Sequence, residues 1–482
     1  MAVDSIIIWG SAGGWAAFAP AYALALAREL ALFAGVVFLI FALGDILLDI
    51  GWLVFRPSRA TAPVAADTKV EGLALFIPAW HEGAVIGDML AHACGAWHQS
   101  AVRFYVGVYP NDVLSHVVAI GAARRDARVR IIRVGAPGPT SKGDCLNALW
   151  RALKSDVARG DFVCRAVAFH DAEDRVDPLE PQLYAAELAR ADAVQIPVLP
   201  LPRRGARLIA GHYLDEFALT HRRDMPLRAR LGAPMPFAGV GFAVRFALLD
   251  LLSMRRGGTP FAADSLTEDY ELGMLIGAYG LSARFVDIFG PAGDRIVSRG
   301  SFPGTVETAV RQKARWIAGI ALAGWDSLGW IGPGRRGAAR PRRDIWLTRW
   351  MLWRDRRAPL AALVLLTAYV ALVVTALGKA GQILAGWAPP HSSEALRTLM
   401  AIDAAILVWR LGMRGHFTAQ WYGGRQALMA LPRAFVANVI AILAARRAVG
   451  LYYRMLRSGK VVWDKTEHHP NPDHVTPGVA AP

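Results

Sequence analysis

The apolar positions of this chain gather toward its two ends, while the middle alternates short apolar runs with mixed, helix-like stretches. From about residue 30 to 55 the run is almost unbroken, interrupted only by Asp45 and Asp49, and it is long enough to cross a hydrocarbon core of about 30 Å. No small-residue cleavage site behind a basic start is evident, so this run predicts a retained anchor. A second span is predicted at about 359–377 and a third, shorter one at about 399–411. Residues 426–453 mix apolar positions with Arg433, Arg446 and Arg447, which suits an amphipathic helix in the membrane interface better than another span. Residues 1–26 stay undecided because Gly10, Gly13, Gly14 and Pro20 break an otherwise apolar run. The expected count is three to five spans. Asp45 and Asp49 stand four apart, so they share one helix face, and a polar contact with a neighbouring helix or domain explains them better than chemistry does.

Between about 70 and 289 the period changes. Short β-rich runs at 73–78, 104–109, 129–134, 163–169 and 193–198 alternate with helical stretches, which predicts an α/β domain with a largely parallel sheet. In such sheets ligands bind beyond the carboxyl ends of the strands, and several of these runs end in charged residues. The expected division is an anchor at 1–56, a catalytic domain at 57–300 and interfacial helices with a basic linker at 301–357. A membrane or interfacial region at 358–456 and a Pro-rich tail at 457–482 complete it.

Composition sharpens this picture. Of 482 residues, 54% are hydrophobic, yet 54 Lys+Arg stand against 39 Asp+Glu for a net charge of +15. Arginines cluster beside the apolar runs, at 335, 336, 340, 342, 343, 354, 356 and 357, as expected of the cytoplasmic flank of a span. Arg56, Arg59 and Lys69 place the α/β section on that same side. No nucleic-acid-binding motif accompanies the charge, so nucleic acid is set aside as a partner. Cys94, Cys145 and Cys164 form no CxxC pair and are expected to be reduced, buried thiols.

Candidate chemistry falls in four ordered segments: Tyr109-Pro110-Asn111-Asp112, His170-Asp171-Ala172-Glu173-Asp174, Thr267-Glu268-Asp269 and Gln312-Lys313-Ala314-Arg315-Trp316. Each also has a purely structural reading. Glu82 and Asp112 suit helix N-termini. Thr267 or Ser265 with the following acids is a capping pattern, and Arg315 with Trp316 suits a membrane-interface belt. Lys142-Gly143 opening a helix offers a cation and backbone donors to a diphosphate, but lacks P-loop spacing, and no GxGxxG follows the first strand. Three acids within four residues at 171–174 would repel one another unless a cation or an arginine neutralised them, and a divalent ion bridging carboxylates and phosphates is the simplest account. A solvated acidic turn is the alternative.

Taken together, Asp112, Asp171-Ala172-Glu173, Thr267-Glu268-Asp269 and Gln312 with Arg315-Trp316 resemble the D, DxD, TED and QxxRW signature of the family 2 membrane glycosyltransferases. The wording around Gly44-Asp45, Asp49, Tyr109–Asp112, His170–Asp174 and Trp463-Asp464-Lys465-Thr466 is most similar to the bacteriophage-adsorption protein B group. The resemblance implies a GT-A-like, Rossmann-like cytoplasmic domain between membrane helices of a bacterial inner-membrane, multi-pass protein. It implies a nucleotide-diphosphate sugar donor, Mg²⁺ or Mn²⁺, and a membrane lipid or polysaccharide acceptor, with separate export or regulatory proteins. By the same carry-over, Glu82 and Asp112 contact the nucleoside, Lys142 and Asp171 the donor phosphates, and Asp171 and Glu173 or Asp174 the metal. Asp269 is the general base beside Glu268. Gln312, Arg315 and Trp316 close over diphosphate and acceptor, and Gly239, Gly241 and Arg245 line the acceptor channel. The second acid of the DxD pattern is Glu173, a departure that keeps open a rival reading as a decayed membrane assembly or phage-receptor scaffold component.

Overall fold

The computed structural model describes residues 12–55, 68–330, 342–385 and 393–459. Arg56, Arg59, Arg335, Arg336, Arg340 and the segment 463–466 lie outside them. The chain divides into two compact units, one formed from Met1–Ile50 with Ala358–Met413 and the other from Gly51–Arg357 with Arg414–Pro482.

The larger unit is built on a seven-stranded sheet. Its strands are β1 (Leu73–Ala79), β2 (Val102–Val108), β3 (Val129–Arg133), β4 (Ala166–Phe169), β5 (Ala193–Gln195), β7 (Phe242–Arg245) and β8 (Ala283–Phe285). They lie in the order β3-β2-β1-β4-β7-β5-β8, and β6 (Val198–Pro200) pairs with β9 (Ser298–Gly300) in a small second sheet. All pairings are parallel except those of β7, which runs against both β4 and β5. Every residue of β1 is buried, as expected of a strand covered on both faces. Side chains alternate across the sheet: Leu73, Leu75 and Ile77 join a core with Phe104, Val106 and Trp97, while Ala74 and Phe76 join another with Tyr105, Leu149 and Trp150.

The expected α/β domain is therefore present, with local differences. The run at 193–198 is two short strands in different sheets, because Pro197 has no N–H to contribute to a continuous ladder. The three or four residues of β7, β8 and β9 are too few to show an alternating pattern, so these strands were not anticipated.

In the smaller unit, the polar contacts expected of Asp45 and Asp49 are made with a neighbouring helix. Asp45 pairs with Arg410, and Trp409 Nε1 donates to Asp49 Oδ2 at 2.9 Å. Three described helices are long and apolar enough to cross a membrane: Tyr22–Phe55, Ala358–Gly381 and Gly424–Ser458. The predicted span at 399–411 lies inside one continuous helix, Glu394–Tyr422, whose Arg397, Asp403, Arg410 and Arg414 keep it out of that set. Helix Gly424–Ser458, expected to lie in the interface, is among the three by length and composition. It packs on the helices Val306–Ile317 and Gly211–Leu219 of the larger unit and buries Arg433 against Asp215, with Nη1 3.3 Å from the carboxylate. The three cysteines are free thiols, with Cys145 and Cys164 buried and Cys94 partly so.

Candidate active site

The carboxyl end of β4 carries the acidic loop, and the structure supplies the cations this loop requires. His170 is buried with Nε2 2.8 Å from Glu180 Oε2 and Nδ1 3.2 Å from Asp174 Oδ2. Burial disfavours its charge, but the two carboxylates outweigh that and raise its pKa to about 10, so an imidazolium donates to both. Asp174 Oδ2 also accepts from the Asp171 N–H at 2.9 Å, which closes the loop on itself. Asp171 Oδ1 is held 2.7 Å from Lys142 Nζ.

Lys142 is the first residue of helix Lys142–Ala158, whose start is fixed by a capping box between Ser141 and Asp144. The same ammonium lies 3.7 Å from Glu268 Oε1. Burial opposes the charge on Lys142, but Asp171, Glu268 and Asp269 more than offset it and raise its pKa. Glu268 and Asp269 open helix Glu268–Ala278; Thr267 holds the cap position without a side-chain capping bond. Burial pushes the Glu268 carboxyl up to about 7 and raises that of Asp269 too, with Lys142 opposing both shifts. Glu268 is buried and directed at Lys142, whereas Asp269 is only half-buried and lies against Gly239. A Cβ added to Gly239, whose φ is +79°, would stand 3.2 Å from Asp269 Oδ2. Gln195 holds this glycine turn in place: its Nε2 donates to Val240 O and Gly241 O, and its Oε1 accepts from Ala238 N.

The opposite wall is helix Val306–Ile317, capped by Thr305. Gln312, Arg315 and Trp316 face a cavity of about 270 Å³ that also touches Lys142, Asp171, Glu173, Asp174, Gly239, Glu268 and Asp269. Gln312 Oε1 and Arg315 Nε are buried and have no hydrogen-bond partner among the described residues, so the wall offers unused polar atoms to a ligand. Lys313 is not among the lining residues and pairs with Glu216.

Residues 166–387 match the model of glycosyl transferase family group 2. The chain is 30% identical to bacteriophage adsorption protein B of Escherichia coli K12 over 92% of its own length and 62% of the relative's. The same figures hold for bacteriophage N4 adsorption protein B of Escherichia coli O157:H7, so the chain spans less than two thirds of these curated relatives. Among solved structures, the mannosyltransferase PcManGT from Pyrobaculum calidifontis, in complex with GDP-Man and Mn²⁺, shares the fold. The TM-score is 0.51 at 16% identity, covering 86% of this chain and 99% of that one. Over residues 166–387 the chain is thus similar to the family 2 glycosyltransferases.

In this GT-A-like domain, most of the residues expected from sequence converge on one cavity. Three do not. Arg245 ends β7 opposite Ala166, the first residue of β4, and so lies at the far edge of the sheet, where its Nε donates to Leu188 O at 2.7 Å. Because β7 is antiparallel, four residues carry the chain from Gly241 near the site to the opposite edge. Asp112 uses both carboxylate oxygens on backbone, accepting from Ser115 N at 3.2 Å and His81 N at 2.6 Å. That second bond holds His81 at a left-handed φ of 53°. Asp112 is thus the helix cap, and neither it nor Glu82 borders the cavity.

No group of three or more His, Cys, Asp or Glu side chains suited to a metal is found among the described residues. Asp171 and Glu173 still offer hard oxygen donors on one loop lining the cavity, and a magnesium-type ion needs only one or two carboxylates when phosphate oxygens complete its shell. The donor set fits such an ion. Sequence reading missed Glu216, Phe217, His221 and Phe302, which extend the cavity beyond Trp316. They come from helices and a loop without a recognisable spacing, and only the fold brings them there.

Proposed function

We propose that this protein is an inner-membrane inverting glycosyltransferase that moves a hexosyl or N-acetylhexosaminyl group from a nucleotide-diphosphate donor to a polysaccharide or lipid-linked acceptor. Its catalytic domain faces the cytoplasm, where nucleotide sugars are available. The observation that carries this reading is the half-buried Asp269 carboxylate in the same cavity as Asp171 and Glu173, with Lys142 bridging Asp171 to Glu268.

Asp269, with its raised pKa and open position, takes the proton of the acceptor hydroxyl as that oxygen bonds to the anomeric carbon. The bond from that carbon to the diphosphate breaks with its electron pair, so the configuration inverts in one displacement. Glu268 is protonated near neutral pH in part and stays against Lys142, which leaves the negative charge to Asp269. Arg315 and Gln312 supply polar contacts to the departing diphosphate, and Trp316 offers a face to the acceptor ring. Asp171 and Glu173 would hold a divalent ion, while Asp174, tied to His170, fixes their loop. When bound, Mg²⁺ or Mn²⁺ supplies neutralisation of charge on the leaving diphosphate. Export or regulatory proteins act downstream of this step.

The test is UDP or GDP release by purified protein from a panel of nucleotide sugars, with Mg²⁺ or Mn²⁺ and membrane lipids as acceptors. Release from one donor, lost in Asp269→Asn at unchanged folding, supports the assignment. Equal release by Asp269→Asn removes Asp269 from the mechanism, and no release from any donor favours the scaffold reading.

A further inference from the structure

Beyond Trp316 the cavity runs on into a part that the transfer step above does not use. One stretch of helix lines it: Gly211–Leu219 passes through a wider, π-type turn at Thr220–Asp224 into Met225–Arg230. Glu216, Phe217, Thr220 and His221 stand at i, i+1, i+4 and i+5, so the helical repeat brings all four to one side, and all four border the cavity. Single π-type turns of this kind are frequent at functional sites. The small sheet supplies the rest. Val198, in β6, donates its N–H to His221 Nδ1 at 2.9 Å, and Phe302, two residues after β9, borders the cavity too.

The groups assembled there are a donor, an acceptor and a set of rings. Because His221 Nδ1 accepts a hydrogen bond, the proton of the neutral imidazole is on Nε2. Burial, which lowers its pKa to about 4, keeps the ring neutral. Glu216 has a 41% exposed side chain and pairs with Lys313, which does not border the cavity. A carboxylate has about four lone-pair sites, so one ammonium leaves others for hydroxyl donors. Phe302 packs edge-on against Phe217 with centroids 4.9 Å apart, and the Tyr213 ring lies 4.8 Å from Phe302 and 6.1 Å from Trp316. Phe217 in turn lies 5.2 Å from the His221 ring, and these contacts hold the rings in place. A pyranose presents an apolar C–H face and a rim of hydroxyls, which suits aromatic faces flanked by a few oriented polar groups.

We propose that Glu216, Phe217, His221 and Phe302, beside Trp316, bind the leading sugar ring of the acceptor, so that transfer is to a glycan hydroxyl and not to a lipid phosphate. The inference rests on the transferase reading above and adds the acceptor class. A phosphate oxygen is already ionised and needs no base. It would also meet the carboxylates of Asp269 and Glu216, while Phe217, Thr220, His221, Met225 and Phe302 bring no cation to this part of the cavity. A hydroxyl does need the base: its oxygen bonds to the anomeric carbon, its proton passes to Asp269, and the diphosphate leaves with the electron pair of the broken bond. His221 Nε2–H donates to one neighbouring hydroxyl of the acceptor ring, and Glu216 accepts from another.

The experiment supplies bacterial membranes containing the full chain with the radiolabelled nucleotide sugar that supports UDP or GDP release, membranes without the chain serving as the blank. Nucleotide released, sugar transferred and the linkage formed are measured together. A sugar joined to a lipid phosphate is an anomeric phosphodiester, which mild acid cleaves to the labelled monosaccharide, whereas a glycoside survives. The label is expected to survive, linked to another sugar. His221→Phe, which keeps a ring beside Phe217 but has no N–H, and Glu216→Gln should each lower the sugar transferred per nucleotide released by roughly fivefold. His221→Gln, which keeps an acceptor for the Val198 N–H and a donor, should recover most of that ratio. A variant that merely unfolds lowers both counts together and leaves their ratio alone. Arg124→Gln, an exposed arginine on helix Val113–Arg125, should keep the wild-type ratio. Labelled monosaccharide freed by mild acid overturns the proposal and leaves the transferase reading standing, while no nucleotide release from any donor removes both. An unchanged ratio in either His221→Phe or Glu216→Gln, or no recovery in His221→Gln, also overturns it.

Discussion

Removing the Lys142 ammonium tests whether it holds the acidic centre together. Its side chain is 14% exposed and faces Asp171 at 2.7 Å and Glu268 at 3.7 Å, with Glu268 itself 6% exposed. Lys142→Gln leaves these carboxylates without their cation. Breaking a buried pair costs about 3–5 kcal/mol, and because Asp171 is 34% exposed and partly solvated, about 2–3 kcal/mol is expected. In EDTA, so that no divalent ion substitutes for the lost charge, the melting temperature should fall by roughly 4–10 °C. The deficit has a sign in pH. The Glu268 carboxyl is raised to about 7 in the wild type, so its contribution is fully present below its ordinary pKa near 4.5 and is lost as pH rises through 7. Without Lys142 it titrates higher still, so the variant should approach wild type at about pH 5 and fall furthest behind at about pH 8. Melting curves of both proteins across that range decide the matter. A Lys142→Gln protein as stable as wild type at the alkaline end, or a deficit that does not change with pH, would refute this account of the site.

Other perturbations read different parts of the structure. Gly239→Ala forces a side chain into a φ of +79° with its Cβ 3.2 Å from Asp269 Oδ2; a stability loss of about 1–2 kcal/mol should accompany at least a roughly tenfold fall in turnover, and unchanged nucleotide release would show that the turn does not position Asp269. Gly273→Ala, on the same helix as Asp269, brings a Cβ to 1.9 Å from the Met235 carbonyl, and a loss of about 3 kcal/mol or more is expected in thermal unfolding. His221, buried beside the cavity, accepts from Val198 N at 2.9 Å and has its pKa lowered to about 4 by burial. Its contribution is present above about pH 6.5 and lost as pH falls toward 4, worth about 3 kcal/mol at most; His221→Gln should flatten the acid limb of the stability profile, and an unaltered limb would contradict the assignment.

Much of this protein could be read from its residues in order. The apolar runs specify membrane-length helices because length and hydropathy are local properties. The runs at 73–78 and 104–109 specify central strands because a strand buried on both faces must be apolar throughout, and the acids at 171–174 and 268–269 follow directly on elements whose ends could be located. What the fold alone decided are relations between distant segments. Antiparallel β7 sends Arg245 to the wrong edge of the sheet for a channel residue. Asp112 is bound by the backbone of His81, 31 positions earlier, and the cations that relieve the acidic loop are Lys142 and His170, the latter made positive by Glu180 as well as Asp174. Lys142 meets Glu268, and Arg228 meets Asp355, across more than a hundred residues of chain. A side chain's type limits which partners it can accept, but its direction and charge state depend on register, burial and neighbours, and those exist only once the chain has closed on itself.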